Sequence, residues 1–285
     1  MNLNNRISAL IVTFNPNLDH LSQMIEILSQ QVSNIIIVDN SPDEMKVTFN
    51  EEVVNYIYLG HNEGIGYAQN VGFFEAYKNS DFIITFDQDS KIDDGLVDSL
   101  IKDYFILRDN NIKVACIGPS VINERDGSVY EKYFKGAEEL NNNCYAVKSI
   151  ISSGTLIPVD SLLRIGINKA HWFIDSIDIE WCYRARDLGY KVIMTRNKKM
   201  THNLGSGDKN LFFGKKINFG SDFRLYYVFR NWIFSLRETC FPLSYKLKII
   251  FNMPIKFLLL ATIPPRRGRI KNMLKGIKHG ILKKY

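Results

Sequence analysis

The stretch DFIITFDQDS (81–90) decides how this chain is read. Phe82, Ile83, Ile84 and Phe86 make an apolar run of strand length, which then drives into Asp87 and Asp89, one residue apart. Carboxylates this close repel, and stripping water from them is costly. A compensating positive charge is therefore expected beside them. Four further runs of strand length surround this one: ISALIVT (7–13), NIIIVDN (34–40), VVNYIYL (53–59) and VACIG (114–118). Between them, LDHLSQMIEILSQQ (18–31) carries Leu21, Met24, Ile25 and Leu28 at helical spacing. A helix is also expected from about Tyr67, after the glycine-rich turn GHNEGIG. Strands alternating with helices predict βαβ units, an α/β fold with a mostly parallel sheet and helices on both faces. Ligands of such sheets sit beyond the carboxyl ends of the strands. Asp39, the 60–66 turn and Asp87/Asp89 all fall at such ends.

Further along, residues 120–147 are polar and irregular, and VKSIISSGTLIPVD (147–160) returns to apolar character. DSLLRIG predicts a short helix capped by Asp160. IDSIDIEWCYRARDLGY (174–190) predicts a helix that closes at Gly189 and places Asp175 and Asp178 on one face. KVIMT predicts a strand, THNLGSGD (201–208) a loop, and DFRLYYVFRNWIFSLRE an aromatic-rich helix.

With 285 residues, 46% of them hydrophobic and 12% aromatic, the chain excludes a disordered protein and suits one large α/β domain with an appendage. We expect a catalytic domain over 1–215 and a helical, basic segment over 216–285. Cys116, Cys144, Cys182 and Cys240 form no CxxC pair, which argues against a disulfide framework or zinc site and fits a reducing compartment. The N-terminus runs directly into the first strand, and no secretory signal is expected. The net charge of +6 is unevenly spread. Residues 214–285 carry 16 Lys/Arg against Asp222 and Glu238, so the preceding residues are net acidic. The apolar stretch LKIIFNMPIKFLLLATIPP is interrupted by Asn252, Pro254 and Lys256 and is too short to span a bilayer. In RRGRIKNMLKGIKHGILKKY, Ile270, Met273, Leu274, Ile277 and Ile281 share a helical face among eight Lys/Arg and no acid. That pattern predicts a helix lying on an anionic membrane, with residues 245–285 as the contact and no nucleic-acid partner.

A strand-end D-x-D either caps a turn or aims two carboxylates at one cation, and oxygen ligands of this kind suit Mg²⁺ or Mn²⁺. NEGIGYAQN is either a tight turn or a weak phosphate loop, since the full GxGxxG is absent. His202 is structural or a further metal ligand. Asp175, Asp178 and Glu180 form a solvated face or include a general base.

In their order, ALIVTFNP (9–16), IIIVDNS (35–41), NEGIGYAQNVG (62–72), FDQDS (86–90), ISSGTLIPVDSLLRIG (151–166), FIDSIDIEWCYRARDLGY (173–190) and HNLGSG (202–207) resemble the family 2 inverting glycosyltransferases of GT-A fold. DQDS points to the bacterial rhamnosyltransferase branch. The resemblance spans roughly residues 7–235. It implies transfer of a sugar, most closely L-rhamnose from dTDP-L-rhamnose, with a UDP-hexose as the alternative donor. The acceptor it implies is a lipid-linked saccharide of surface polysaccharide synthesis (O-antigen or capsule), at the inner face of the cell membrane. It further implies that Thr13 and Asn15 line the nucleotide pocket and that Asp39 binds the pyrimidine. Asn62, Gly64 and Asn70 would border the nucleoside and donor sugar, with Gln88 beside them. Asp87 and Asp89 would hold the metal, with His202 as a further ligand, and Asp178 would be the base. Ser153, Gly154 and Thr155 would shape the donor and acceptor cleft, Trp181 would form a sugar platform, and Arg184 would pair with a carboxylate of its own helix. Tyr226, Tyr227, Arg230 and Asn231 keep a YYxxRN pattern in which Arg230 either reaches the diphosphate or packs. Ile177 departs from the family, where many relatives carry an acid, so Asp175 stays as a second candidate base. Three rivals stand outside this class. They are a phosphohydrolase with an attacking Asp, a two-carboxylate glycosidase, and a nucleic-acid-binding protein using the basic end.

Overall fold

The structure, a computed structural model, describes residues 5–124, 127–202, 208–210, 216–218 and 221–283, with backbone alone at 202, 208–210 and 216–218. Its strands are β1 (Ile7–Thr13), β2 (Asn34–Asp39), β3 (Val54–Tyr58), β4 (Phe82–Asp87), β5 (Val114–Asn123), β6 (Glu138–Glu139), β7 (Cys144–Val147), β8 (Thr155–Pro158) and β9 (Lys191–His202). They form one sheet in the order β3-β2-β1-β4-β8-β5-β9-β7-β6. A separate antiparallel pair joins β10 (Asp208–Asn210) and β11 (Lys216–Asn218). The helices are α1 (Leu18–Ser29), α2 (Ile65–Ala76), α3 (Leu96–Asp109), α4 (Val159–Ile165), α5 (Ile177–Asp187), α6 (Asp222–Arg237), α7 (Leu243–Ala261) and α8 (Arg266–Leu282).

Side chains on a strand alternate between faces, and the two faces of this sheet are both apolar. Ala9 and Ile11 of β1 point into one layer with Leu21, Met24 and Leu28 of α1 and Leu96 and Leu100 of α3. Leu10 points into the other, with Ala68 and Phe73 of α2, Leu162 of α4 and Ala185 of α5. The result is the expected α/β fold, with helices covering both faces.

The sheet is less parallel than its sequence predicts. β3, β2, β1 and β4 are mutually parallel, as are β5 and β9. β8 runs antiparallel between β4 and β5, and β7 runs antiparallel to β9. The short link into β8 turns the chain back at the carboxyl end of β4, where Gly154 N donates to Thr85 O at 2.7 Å. The stretch read as irregular over 120–147 contains the end of β5, together with β6 and β7. Two helix starts also move. Pro158, not Asp160, is the N-cap of α4, and Asp160 lies in the first turn, where a carboxylate favours the helix dipole. α5 starts at Ile177, so Asp175 precedes it and shares no helical face with Asp178.

β1 leads to β2 and β3 on one side, whereas β4 pairs on the other. This is a topological switch point, and a crevice opens there at the strand ends. Beside this crevice, α6 packs Phe234 against Trp172, Ile177 and Tyr183. α6, α7 and α8 share a further core of Leu225, Phe229, Leu260, Ile263 and Met273. A Cβ on Gly276 would lie 2.3 Å from the Tyr226 carbonyl oxygen, so this glycine lets α8 sit directly on the α6 backbone. The apolar seam of α8 is thereby used internally. Met273 is fully buried and Ile270 and Ile277 pack beside it, while Leu274 and Ile281 stay exposed. The expectation that all five face a membrane is corrected accordingly. No helix among the described residues is long and apolar enough to cross a membrane.

Candidate active site

Register aligns the first site residues. Thr13 stands opposite Asp39 across β1 and β2, and Val12 opposite Asp87 across β1 and β4. Neighbouring strands lie about 4.8 Å apart, so all three strand ends meet within roughly 10 Å. A cleft of about 1770 Å³ opens over them. That exceeds the span usual for one small ligand and suits two substrates.

On the side formed by β1 to β4 the polar groups hold one another. Asp39 is fully buried and accepts from Thr13 Oγ1 at 3.1 Å, Ser41 N at 3.1 Å, Ser41 Oγ at 2.6 Å and Tyr56 OH at 2.8 Å. Asp39 therefore shapes the crevice from behind, and Thr13 and Asn40 face it. Asn62 Oδ1 accepts from Asn40 Nδ2 and from Gly64 N, both at 3.0 Å, which folds the 60–64 turn over the cleft. Asp87 is half-buried and Asp89 exposed, and both line the cleft. Between them Gln88 pairs with the backbone of Phe14, accepting from its N–H at 2.6 Å and donating to its carbonyl at 3.1 Å. Ser90 bonds to Ser153, and Thr85 Oγ1 donates to Ser152 O at 2.6 Å. Buried Ser153, Gly154 and Thr155 thus brace the DQDS turn, while Ile151 and Ser152 face the cleft.

The opposite wall is the segment 173–178, and its backbone is strained. Phe173, Asp175 and Ser176 have φ of 65°, 67° and 64°. Non-glycine residues held there cost about 1–3 kcal/mol each. The surroundings hold them in place. Asn231 Nδ2 donates to the carbonyls of Trp172, Ile174 and Asp175 at 3.0, 2.8 and 2.9 Å. Arg230 donates to His171 O at 2.8 Å and Trp172 O at 3.0 Å. The Phe173 ring stacks on Tyr227 at 4.6 Å. Gly64, at φ +84°, comes so close that a Cβ would lie 2.5 Å from Phe173 O.

This strained segment delivers Asp178 to the cleft in the first turn of α5. Burial pushes its carboxyl up to about 6, against the lowering influence of the Ile179 N–H, and the charges of Asp87 and Asp175 add to the rise. Asp175 is held by Arg224 through contacts of 2.8, 2.9 and 3.1 Å, and this ion pair raises the guanidinium pKa. Arg224 is a positive charge of the kind the carboxylates require; it lines the cleft with Asp87 and Asp178, whose charges also favour its charged form. Lys132, Lys248 and Lys256 also line the cleft. Burial lowers the pKa of Lys132 and Lys256.

Other expected residues stand elsewhere. Asn15 is exposed and does not line the cleft. Asn70 is buried and donates to Asn168 O at 2.9 Å. Trp181 is buried in the second core, with Nε1 donating to Gly166 O at 2.8 Å, so it offers no platform in the cleft. Arg230 is buried and borders a separate cavity of about 330 Å³, so packing, not the diphosphate, takes its donors. Arg184 pairs with Glu180 of its own helix as expected, at 3.0 Å. The side chain of His202 and the residues 203–207 lie outside the described residues. Among those described, no three His, Cys, Asp or Glu gather as a metal site. Arg224, Lys132, Lys248 and Lys256 were missed. Each is an ordinary surface-type residue in sequence, and only the fold turns it inward. Asn231 carried a signal in the YYxxRN pattern but no role.

The sequence profile of glycosyl transferase family 2 matches residues 8–162. The chain is 33% identical over 290 aligned residues to the dTDP-rhamnosyl transferase RfbF of Shigella flexneri, covering 96% of this chain and 94% of that one. Among solved structures it is similar to GalNAc-T7 with UDP, GalNAc and Mn²⁺ (TM-score 0.57, 14% identity, 87% of this chain and 55% of that one). It is equally similar to S. aureus TarS (TM-score 0.57, 14% identity, 86% of this chain and 42% of that one). The chain thus spans about half the length of those two structures, which share its fold.

Proposed function

The chain belongs to glycosyl transferase family 2, and from that premise we propose that it moves L-rhamnose from dTDP-L-rhamnose to a hydroxyl of a lipid-linked saccharide, with inversion. The chemistry is carried by one juxtaposition: Asp87 and Asp89 at one wall of the cleft meet Asp178 at the other. The donor rests on the similarity to RfbF along nearly the whole chain. The acceptor and its setting in surface polysaccharide synthesis rest on the family resemblance; a cleft with room for two substrates and a basic C-terminal segment are compatible with it.

Thr13, Asn40 and Asn62 border the nucleoside side of the crevice. Asp87 and Asp89 would hold a divalent cation, since they offer hard oxygen ligands of the type Mg²⁺ or Mn²⁺ takes. When bound, a divalent ion supplies charge stabilisation to the departing diphosphate. Asp178 accepts the proton of the acceptor hydroxyl as that oxygen attacks the anomeric carbon from the face opposite the diphosphate. One displacement inverts the configuration. A carboxyl near 6 is mostly ionised at pH 7, yet more basic than an ordinary aspartate. Arg224 holds Asp175 and so keeps the strained wall in place while offsetting the repulsion among the carboxylates.

A panel of nucleotide sugars with and without EDTA, read by nucleotide release, tests this assignment. dTDP-rhamnose should be turned over fastest, and Asp89→Asn should lose cation-dependent donor binding. Faster turnover of a UDP-hexose would replace the donor, and full activity of Asp87→Ala/Asp89→Ala would overturn the mechanism.

A further inference from the structure

α7 has two unlike sides. Toward the protein it buries Ile249 and Leu260, and Tyr245, Lys248 and Lys256 line the active-site cleft. Toward solvent it presents Leu243 (71% exposed), Leu247 (42%), Ile250 (51%), Phe251 (67%) and Leu258 (68%). Exposed Pro254 lies among them. At 100° per residue these positions fall in one stripe over four turns, roughly 22 Å long, with no charged residue inside it. Contiguous exposed apolar patches are rare on monomeric proteins and mark interaction surfaces. The described residues leave this stripe uncovered.

The surrounding charge selects the partner. From residue 239 to the end the chain has 11 Lys/Arg and no acid; Lys248 and Lys256 line the cleft and Arg269 is buried, which leaves eight others to face a partner. A second copy would bring an equally basic face against the first, and repulsion opposes that pairing. An anionic bilayer meets both demands, since it takes the apolar stripe into the acyl boundary and the lysines and arginines at its phosphates. We propose that α7, lying in the plane of an anionic membrane with Leu247, Phe251 and Leu258 inserted, is the docking surface of this protein. The inner side of the same helix then holds the cleft mouth at the bilayer surface. Resting on the reading of a lipid-linked acceptor, this explains how a saccharide on a membrane anchor reaches Asp178 without leaving the surface. The helix with the more obvious sequence pattern, α8, uses most of its apolar seam on α6 instead.

Co-flotation of the full chain with vesicles tests the surface directly. The wild type should float with phosphatidylglycerol-containing vesicles and bind phosphatidylcholine vesicles at least about tenfold more weakly. Phe251→Ser/Leu258→Ser should lower binding to the anionic vesicles by at least about tenfold. Phe251→Trp should keep binding, shift its emission to the blue and be quenched by shallow spin-labelled lipids. That arm stands even if the double variant folds poorly. Failure of the wild type to float, equal binding to neutral vesicles, unchanged binding of the double variant or an introduced indole that the spin labels leave unquenched each overturns the proposal. So does a wild-type dimer that the double variant makes monomeric, because the stripe then belongs to a second copy. Neither residue lines the cleft, so nucleotide release from dTDP-rhamnose without vesicles should be unchanged in the double variant. If the donor panel instead rejects rhamnose, the flotation result stands by itself.

Discussion

The two walls of the cleft are built on different physical principles. The wall at β1 to β4 is made of parallel strand ends in relaxed backbone, and its polar side chains satisfy one another, with Asp39 accepting four hydrogen bonds. The wall at 173–178 is backbone in left-handed conformations, held from outside by Asn231, Arg230 and Gly64. The first is over-determined locally, so losing one contact should cost little. The second depends on groups 50 or more residues away, so one side chain controls it. In the proposed mechanism, donor binding draws on the first wall and placement of Asp178 on the second.

The largest effect should come from the base itself. Asp178→Asn should lower kcat by about 10²–10⁴-fold in steady-state transfer assays while leaving donor affinity within a few-fold, and normal turnover would move the base to Asp175. In the wild type, kcat/KM should rise with pH through about 6 and then level off. Next comes Asn231→Ala, which strips one amide from three carbonyls. It should cost about 2–4 kcal/mol in denaturant unfolding and lower kcat far more than donor affinity. Asn231→Asp keeps the size but faces the carbonyls with an acceptor, and it should be at least as damaging. A mutant that lost stability and donor affinity equally would erase the distinction between the walls.

A smaller effect concerns stability alone. Asp178 binds its proton more tightly when folded than when unfolded, because its carboxyl stands at about 6 instead of 3.8. The stability this group supplies is present below pH 4 and is lost as pH rises through 6. Asp178→Asn should therefore be more stable than the wild type at pH 8, by roughly 1–3 kcal/mol, with the gap closing toward pH 4. Thermal melts in EDTA across that range read the difference. The smallest effect belongs to the relaxed wall: Tyr56→Phe removes one of four donors from Asp39 and should cost about 1–2 kcal/mol. A loss as large as that of Asn231→Ala would mean that the strand-end wall is equally dependent on single contacts.

Legibility in the sequence followed the same division. The strand ends could be placed because strands of six or seven largely apolar residues stop at Thr13, Asp39 and Asp87, and a parallel sheet sets such stops at one level. The second wall was misread as helix from residue 174, since Asp175 and Ser176 have nothing local to announce a positive φ. Trp181 looked available for a sugar, yet its indole is spent on the core and on Gly166 O.

By itself, the sequence determined the α/β class, the strand ends that bear Asp39 and Asp87, the family, and a basic C-terminal segment. Those depend on periodicity, composition and short ordered motifs, which are local properties. Tertiary structure alone decided that Arg224 pairs with Asp175 beside the cleft, that Asn231 holds the 173–178 segment, and that α7 rather than α8 keeps its apolar face in solvent. Each of these depends on which distant element claims a side chain first. Gly276 settles the last of them, by letting α8 close on α6 while the outer side of α7 is left without a protein neighbour among the described residues.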